Sequence, residues 1–166
     1  MRVGILTISD RSSRNERPDE GGPLIAQLIT ETLKWDCSLT KIIPDDLEGI
    51  RYTLIEWCDA NRADLIITTG GTGFAPRDVT PEATKMIIER ETPGIPEASR
   101  SASLKITQHA MLSRAVAGIR KKTLIINLPG NPKAVRENLE VLIPILPHAL
   151  ELLRGDEKAE QGHRSI

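Results

Sequence analysis

Cysteine, histidine and aromatic side chains are scarce in this sequence, and neither sign of charge is in excess. The two cysteines among its 166 residues, Cys37 and Cys58, fall in different expected elements and have no C-x-x-C spacing. They read as reduced, buried thiols of a cytoplasmic protein. The three histidines, His109, His148 and His163, are scattered, which argues against a His/Cys metal site. Two Trp, one Tyr and one Phe offer few stacking platforms for single-stranded nucleic acid. With 22 basic against 23 acidic residues the net charge is −1, so no field for DNA, RNA or an anionic membrane is expected. No apolar run approaches the roughly 20 residues of a membrane span. The opening stretch 1–9 reads as a strand, not a signal peptide. There is no G-x-x-x-x-G-K-[ST], hence no P-loop. No Ser-His-Asp or Cys-His arrangement stands out, so covalent catalysis is not indicated.

What is present is an alternation of strand and helix patterns without internal repeats. The length suits one domain over residues 1–155, followed by a polar tail, 156–166, expected to be mobile. Val3 to Ser9 reads as a buried strand, followed by a long polar loop from Asp10 to Gly22. Pro23 suits a first helical position, and Leu24, Ile25, Leu28, Ile29 and Leu33 mark one helical face. Ser38 to Pro44 is a second strand. Leu47, Ile50, Leu54, Trp57 and Cys58 face inward from a second helix, and Asp64 to Thr69 is a third strand. Thr80-Pro81-Glu82 reads as N-cap, first-turn proline and early acid of a helix running to about Arg90. A further helix is expected over Glu97 to Thr107. Ala115 to Ile119 and Thr123 to Leu128 form an antiparallel hairpin through Arg120-Lys121-Lys122. Asn131 caps a helix opening at Pro132, and Pro144 and Pro147 split the last helical region. The fold class is therefore α/β: a three-layer αβα sandwich on a mostly parallel sheet with an antiparallel edge hairpin.

Parallel strands would bring four segments to one carboxyl edge, where open α/β folds bind ligands. These are Ser9-Asp10, Pro44-Asp45, the turn Gly70-Gly71-Thr72-Gly73, and Pro129-Gly130-Asn131-Pro132. Three glycines in four residues exceed what a turn needs, and successive amides there can form an anion nest; Thr72 adds a hydroxyl. Asp45 and Asp78 can hold Mg2+ together with substrate phosphates. Asp45 also heads Asp45-x-x-Glu48, a capping-box-like pattern, so cap and ligand both stay open. Asp78 can instead pair with Arg77 on the surface. Pro129-Gly130-Asn131-Pro132 has an economical reading as turn and cap, while a helix N-terminus also favours anions. Ser9, Asp10, Arg11, Ser12 and Ser13 offer hydroxyls and a guanidinium for a phosphate, but in isolation read as a solvated loop. Ser113-Arg114 say little by pattern alone.

TTGGTGFAPRDVTPEAT, with LTISD before it, IPDD between and LSR…LIINLPGNPKAV after it, resembles the molybdopterin adenylyltransferase family, the MogA/MoaB-like group. The resemblance runs from about Val3 to Gly155. It implies a cytoplasmic, homotrimeric α/β enzyme that uses Mg-ATP to adenylylate molybdopterin, releasing pyrophosphate. A hand-off to a molybdenum-insertion enzyme would follow. The family's two key acids match Asp45 and Asp78, as catalytic and metal-binding residues. Its nucleotide-binding motifs match Gly70, Gly71, Thr72 and Gly73, and Pro129, Gly130 and Asn131. Ser9, Asp10 and Ser113 match positions associated with the pterin and its phosphate, and Asp19-x-x-Gly22-Pro23 matches as well. The alternative within the family is a non-catalytic, molybdopterin-binding scaffold of the MoaB-like type.

Overall fold

The computed structural model describes residues 1–155; the tail expected over 156–166 lies outside the described residues. Its strands are β1 (Arg2–Ile8), β2 (Asp36–Ile43), β3 (Leu65–Thr69), β4 (Arg90–Glu91), β5 (Ala117–Arg120) and β6 (Thr123–Leu128). They form one sheet in the order β2-β1-β3-β6-β5-β4. β1, β2, β3 and β6 are parallel, while β5 runs antiparallel to both β6 and β4. β1, β3 and β6 are buried almost throughout, as central strands covered on both faces must be. β2 sits at an edge and its side chains are largely open to solvent.

The strand period of two divides the core. Val3, Ile5, Leu65, Ile67, Leu124 and Ile126 face one side, where they meet Ile25 and Ile29 of α2 (Gly21–Leu33), Val135 and Leu139 of α6 (Pro132–Leu142) and Leu146 and Leu150 of α7 (Leu146–Arg154). Leu6, Ile8, Ile66 and Ile125 face the other, against Ile50, Leu54 and Trp57 of α3 (Leu47–Asp59) and Ala83 of α4 (Thr80–Lys85). α5 (Gly94–Leu104) packs beside α6. Each such Leu or Ile contributes about 1.5–3 kcal/mol relative to exposure. The result is the expected three-layer sandwich. Cys58 is buried and Cys37 half-buried, both as free thiols; burial pushes the Cys58 thiol up to about 11, which makes it inert.

Several boundaries differ from the sequence reading. The loop expected over Asp10 to Gly22 opens with a short helix, α1 (Asp10–Ser13), because the Ser9 hydroxyl accepts from the Ser12 amide at 3.2 Å. α2 starts at Gly21, so Pro23 is its third residue; first-turn amides lack intrahelical acceptors, and a proline costs nothing there. Thr80 lies inside α4 and does not cap it through its side chain; its hydroxyl donates to the Gly70 carbonyl at 3.0 Å. α4 ends at Lys85, and Arg90–Glu91 form the edge strand β4. α5 begins at Gly94, with Pro96 in its first turn, and ends at Leu104; a 3-10 turn, Gln108–Leu112, follows. The split of the last helical region lies where expected, and the hairpin is present, but β5 spans Ala117–Arg120 instead of Ala115 to Ile119, so Lys121 and Lys122 alone form its turn.

Candidate active site

Because β1, β2, β3 and β6 are parallel, their carboxyl ends share one edge, and hydrogen bonds lace those ends together. The Ser9 amide donates to Ile43 O at 2.9 Å and the Gly70 amide to Leu128 O at 3.2 Å. The Thr69 hydroxyl donates to Pro129 O at 2.8 Å. Above this edge lies a cavity of about 350 Å³ lined by Ser9, Asp45, Gly70, Gly71, Asp78, Gly130 and Asn131, among others. The four strand-end segments therefore do converge.

The glycine turn is shaped by what it must approach. Gly70 and Gly71 adopt φ of +101° and +62°. A Cβ on Gly70 would collide with the Ile8 carbonyl, and one on Gly71 with the Thr80 hydroxyl. Among the described residues, no backbone carbonyl accepts from the amides of Gly71, Thr72 or Gly73. Such amides are available to an anion. Thr72 is buried, and neither it nor Gly73 lines the cavity.

The two acids lie against this turn at different glycines. A Cβ on Gly71 would stand 3.0 Å from Asp45 Oδ1, and one on Gly73 would stand 2.9 Å from Asp78 Oδ2. Asp45 does not cap α3. Asp46 does, accepting from the Gly49 amide at 2.7 Å, so the capping pattern is displaced by one residue and Asp45 faces the cavity instead. Its Oδ2 accepts from the Asp10 amide at 2.9 Å, and Asp10 Oδ1 accepts in return from the Asp45 amide at 3.2 Å. Burial raises the Asp45 carboxyl above its ordinary range, and the nearby Asp10 and Asp78 carboxylates add to this against the amide bond and Arg77. A cation between the acids would relieve that repulsion. Asp78 Oδ2 accepts from the Ala75 amide at 2.9 Å.

Arg77 pairs with Asp10, not Asp78. Its Nε donates to Asp10 Oδ2 at 2.5 Å, and its Nη2 to Asp10 Oδ1 at 2.9 Å and Asp45 O at 3.0 Å. These bonds hold the Asp10 carboxyl below its ordinary range. Asn131 caps α6, its side chain accepting from the Lys133 amide at 2.9 Å. It also lines both the first cavity and a second one of about 420 Å³. Ser113 lies in that second cavity, with Pro129, Arg100, His109 and Lys133, and not beside Ser9 and Asp10. The Pro129-Gly130-Asn131 turn is thus the partition between two pockets.

The probable molybdopterin binding domain model matches residues 4–148. The chain belongs to this family. Its gephyrin relative from Dictyostelium discoideum is 48% identical over 98% of the chain, which spans about 24% of gephyrin's own length. The molybdopterin adenylyltransferase of Helicobacter pylori (strain J99) is 43% identical, over 94% of this chain and 89% of the relative. The crystal structure of the molybdopterin biosynthesis enzyme MoaB from Thermus thermophilus matches with a TM-score of 0.87 and 47% identity, covering 93% of this chain and 97% of that one. The resemblance read from the motifs holds.

Within this molybdopterin-binding domain, sequence reasoning missed several residues at the two cavities. Arg17 and Glu20 line the first, beside Asp19, which the resemblance marks through Asp19-x-x-Gly22-Pro23. Asp19 accepts from the Thr7 hydroxyl at 2.7 Å and the Gly22 amide at 3.1 Å, and its spacing to Gly22 was the only signal in the sequence. Arg100 and Lys133 line the second cavity together with Glu137, which stands 3.9 Å from Lys133, and Arg114 reaches the glycine loop at Gly73 O. Their separation in sequence hides these contacts from any local pattern.

Proposed function

We propose that this chain is a molybdopterin adenylyltransferase acting in molybdenum cofactor biosynthesis. An oxygen of the terminal phosphate of molybdopterin attacks the α-phosphorus of ATP. A new phosphorus–oxygen bond forms, the bond from the α-phosphorus to the bridging oxygen breaks, and pyrophosphate leaves with that electron pair. The observation that carries this reading is that Asp45 and Asp78 line one cavity together with Gly70 and Gly71. The name borne by the relatives that span nearly the same length supports it.

The residues fit a magnesium ion. Asp45 and Asp78 both line the cavity, and among the described residues each accepts an amide through Oδ2 only; an ion held by the remaining oxygens would take the rest of its shell from water and polyphosphate, the arrangement Mg2+ favours. Bound there with ATP, the ion would offset charge on the leaving pyrophosphate. The protein's own part is positioning. The free Gly71 amide at the cavity holds a phosphate oxygen, and Pro129, Gly130 and Asn131 bound the nucleotide side. Ser113, with Arg100 and Lys133 across the partition, receives the anionic pterin, and Ser9 lines the first cavity; Asp10 lines neither, and its carboxylate holds Arg77 instead. The attacking phosphate is already ionised, so no general base is needed. We further infer a homotrimer working in the cytoplasm and passing its product to a molybdenum-insertion enzyme; mass measured by light scattering tests the trimer.

Pyrophosphate release from Mg-ATP in the presence of molybdopterin tests the activity. Release that requires both substrates is expected. Folded protein that binds the pterin without releasing pyrophosphate would instead be a scaffold. Asp78→Ala should lower turnover at least 100-fold while the pterin still binds. Full turnover by that variant would remove Asp78 from the site.

A further inference from the structure

Arg114 lies between the 3-10 turn, Gln108–Leu112, and β5, far in sequence from the glycine loop it touches. Its backbone amide donates to Thr72 O at 2.9 Å. Its Nε donates to Gly73 O at 2.7 Å and its Nη2 to Asp78 O at 2.5 Å. Its Nη1 pairs with Glu82 in the first turn of α4. One side chain therefore grips both ends of the exposed stretch 74–77 and fastens it to the next helix.

Without that grip the loop has few anchors. Phe74, Ala75, Pro76 and Arg77 are all exposed. Ala75 and Asp78 exchange hydrogen bonds, Oδ2 from the Ala75 amide and the Asp78 amide to Ala75 O, each at 2.9 Å. These fix the turn internally but do not fix it to the sheet. Arg77 ties its outer side to Asp10 and Asp45. Arg114 ties its inner side, and it contacts the main chain of Asp78 itself. A planar guanidinium can donate to two carbonyls and a carboxylate in one fixed fork; a lysine ammonium is a point charge on a flexible stem and cannot reproduce the geometry.

We infer that Arg114 is a positioning residue that sets Asp78, through the backbone of residues 73–78, for the magnesium–nucleotide. Arg114 touches no reacting atom; its influence on catalysis passes through the loop. The inference rests on the function proposed above.

The test uses the full chain carrying Arg114→Lys, with Glu82→Gln as the comparison. Three quantities are read: amide hydrogen exchange across residues 71–78, the Mg2+ concentration at half-saturation for binding a non-hydrolysable ATP analogue, and the thermal midpoint. Arg114→Lys should speed exchange in the loop and raise the Mg2+ midpoint, each about tenfold. Glu82→Gln, which keeps the bonds to Gly73 and Asp78, should leave the Mg2+ midpoint within about twofold of the starting protein. A lowered thermal midpoint with unchanged Mg2+ requirement and unchanged loop exchange would make Arg114 merely structural and overturn the inference. If the unaltered protein binds no magnesium–nucleotide, the functional reading fails on its own. Loop exchange then decides for Arg114: faster in the lysine variant upholds the clamp, unchanged overturns it.

Discussion

At the residue scale, Asp45 shows how a site charge opposes stability. Its folded-state carboxyl is raised above the ordinary 3.8, first by burial and then by its acidic neighbours. A raised folded value means that the fold favours the protonated form. That stabilising preference is fully present below the unfolded value and is lost as pH rises through the folded one. Asparagine imitates the protonated side chain and can still accept from the Asp10 amide. Asp45→Asn should therefore raise the denaturation midpoint at pH 7, with the gain shrinking as the pH falls through the raised folded value and gone below the unfolded 3.8. Urea titrations at several pH values check this, and an equal gain at every pH would contradict it. The same variant should lose pyrophosphate release, so the pair of measurements separates a functional carboxylate from a structural one. Asp46, one residue on, is the opposite case: its carboxylate caps α3 through the Gly49 amide, and loss of such a cap costs about 1 kcal/mol.

At the element scale, the glycine turn after β3 needs its backbone conformation. Gly70→Ala would place a Cβ into the Ile8 carbonyl at a φ of +101°, and should cost on the order of 2–3 kcal/mol. Gly94 is the contrast: a Cβ there meets nothing within 4 Å at the start of α5. Gly94→Ala should stabilise by about 0.5 kcal/mol by restricting the unfolded chain. Thermal midpoints of the two variants check both signs. The strands and their order along the chain were legible because β1, β3 and β6 are continuous apolar runs ended by turn residues, and parallel pairing then puts their ends on one edge. The choice between cap and ligand stayed open at Asp45 because adjacent aspartates offer the same local pattern, and only the direction of the chain into α3 makes Asp46 the cap. β4 was illegible for another reason. Two exposed residues, Arg90 and Glu91, carry no period, and their strand exists only because β5 is there to pair with them. Thr80 read as a cap because its neighbours imitate one; its hydroxyl is taken instead by Gly70 O, a partner no local pattern reveals. The two-cavity arrangement around Asn131 lay beyond reach in the same way, since Arg100, Ser113 and Lys133 meet only through packing of α5 and α6.

At the scale of the whole molecule, the sheet divides labour between its two edges. The carboxyl edge carries free amides, an up-shifted acid and exposed loop, all costly to a fold. The amino edge is a charge lock. Asp64, just before β3, accepts from the Arg2 amide at 2.7 Å and from Arg2 Nη2 at 3.1 Å, and Arg154 in the last turn of α7 stands 3.0 Å away. Its side chain is only 11% exposed. Burial is the largest single influence on it and pushes its carboxyl upward, but the bonds from Arg2 and Arg154 together prevail and hold it at about 2. A depressed folded value gives stability that is present above the unfolded 3.8 and lost as pH falls through about 2. Asp64→Asn should therefore destabilise by about 1–2 kcal/mol at pH 7, with the deficit closing between pH 4 and pH 2. This trend is opposite in sign to that of Asp45→Asn. Because Asp64 lies at the far edge from Asp45 and Asp78, the Asp64→Asn protein should keep its Mg2+ requirement and its pyrophosphate release at temperatures where it remains folded. A change in the Mg2+ requirement would mean that the two edges are coupled through β3, and the division of labour would fail.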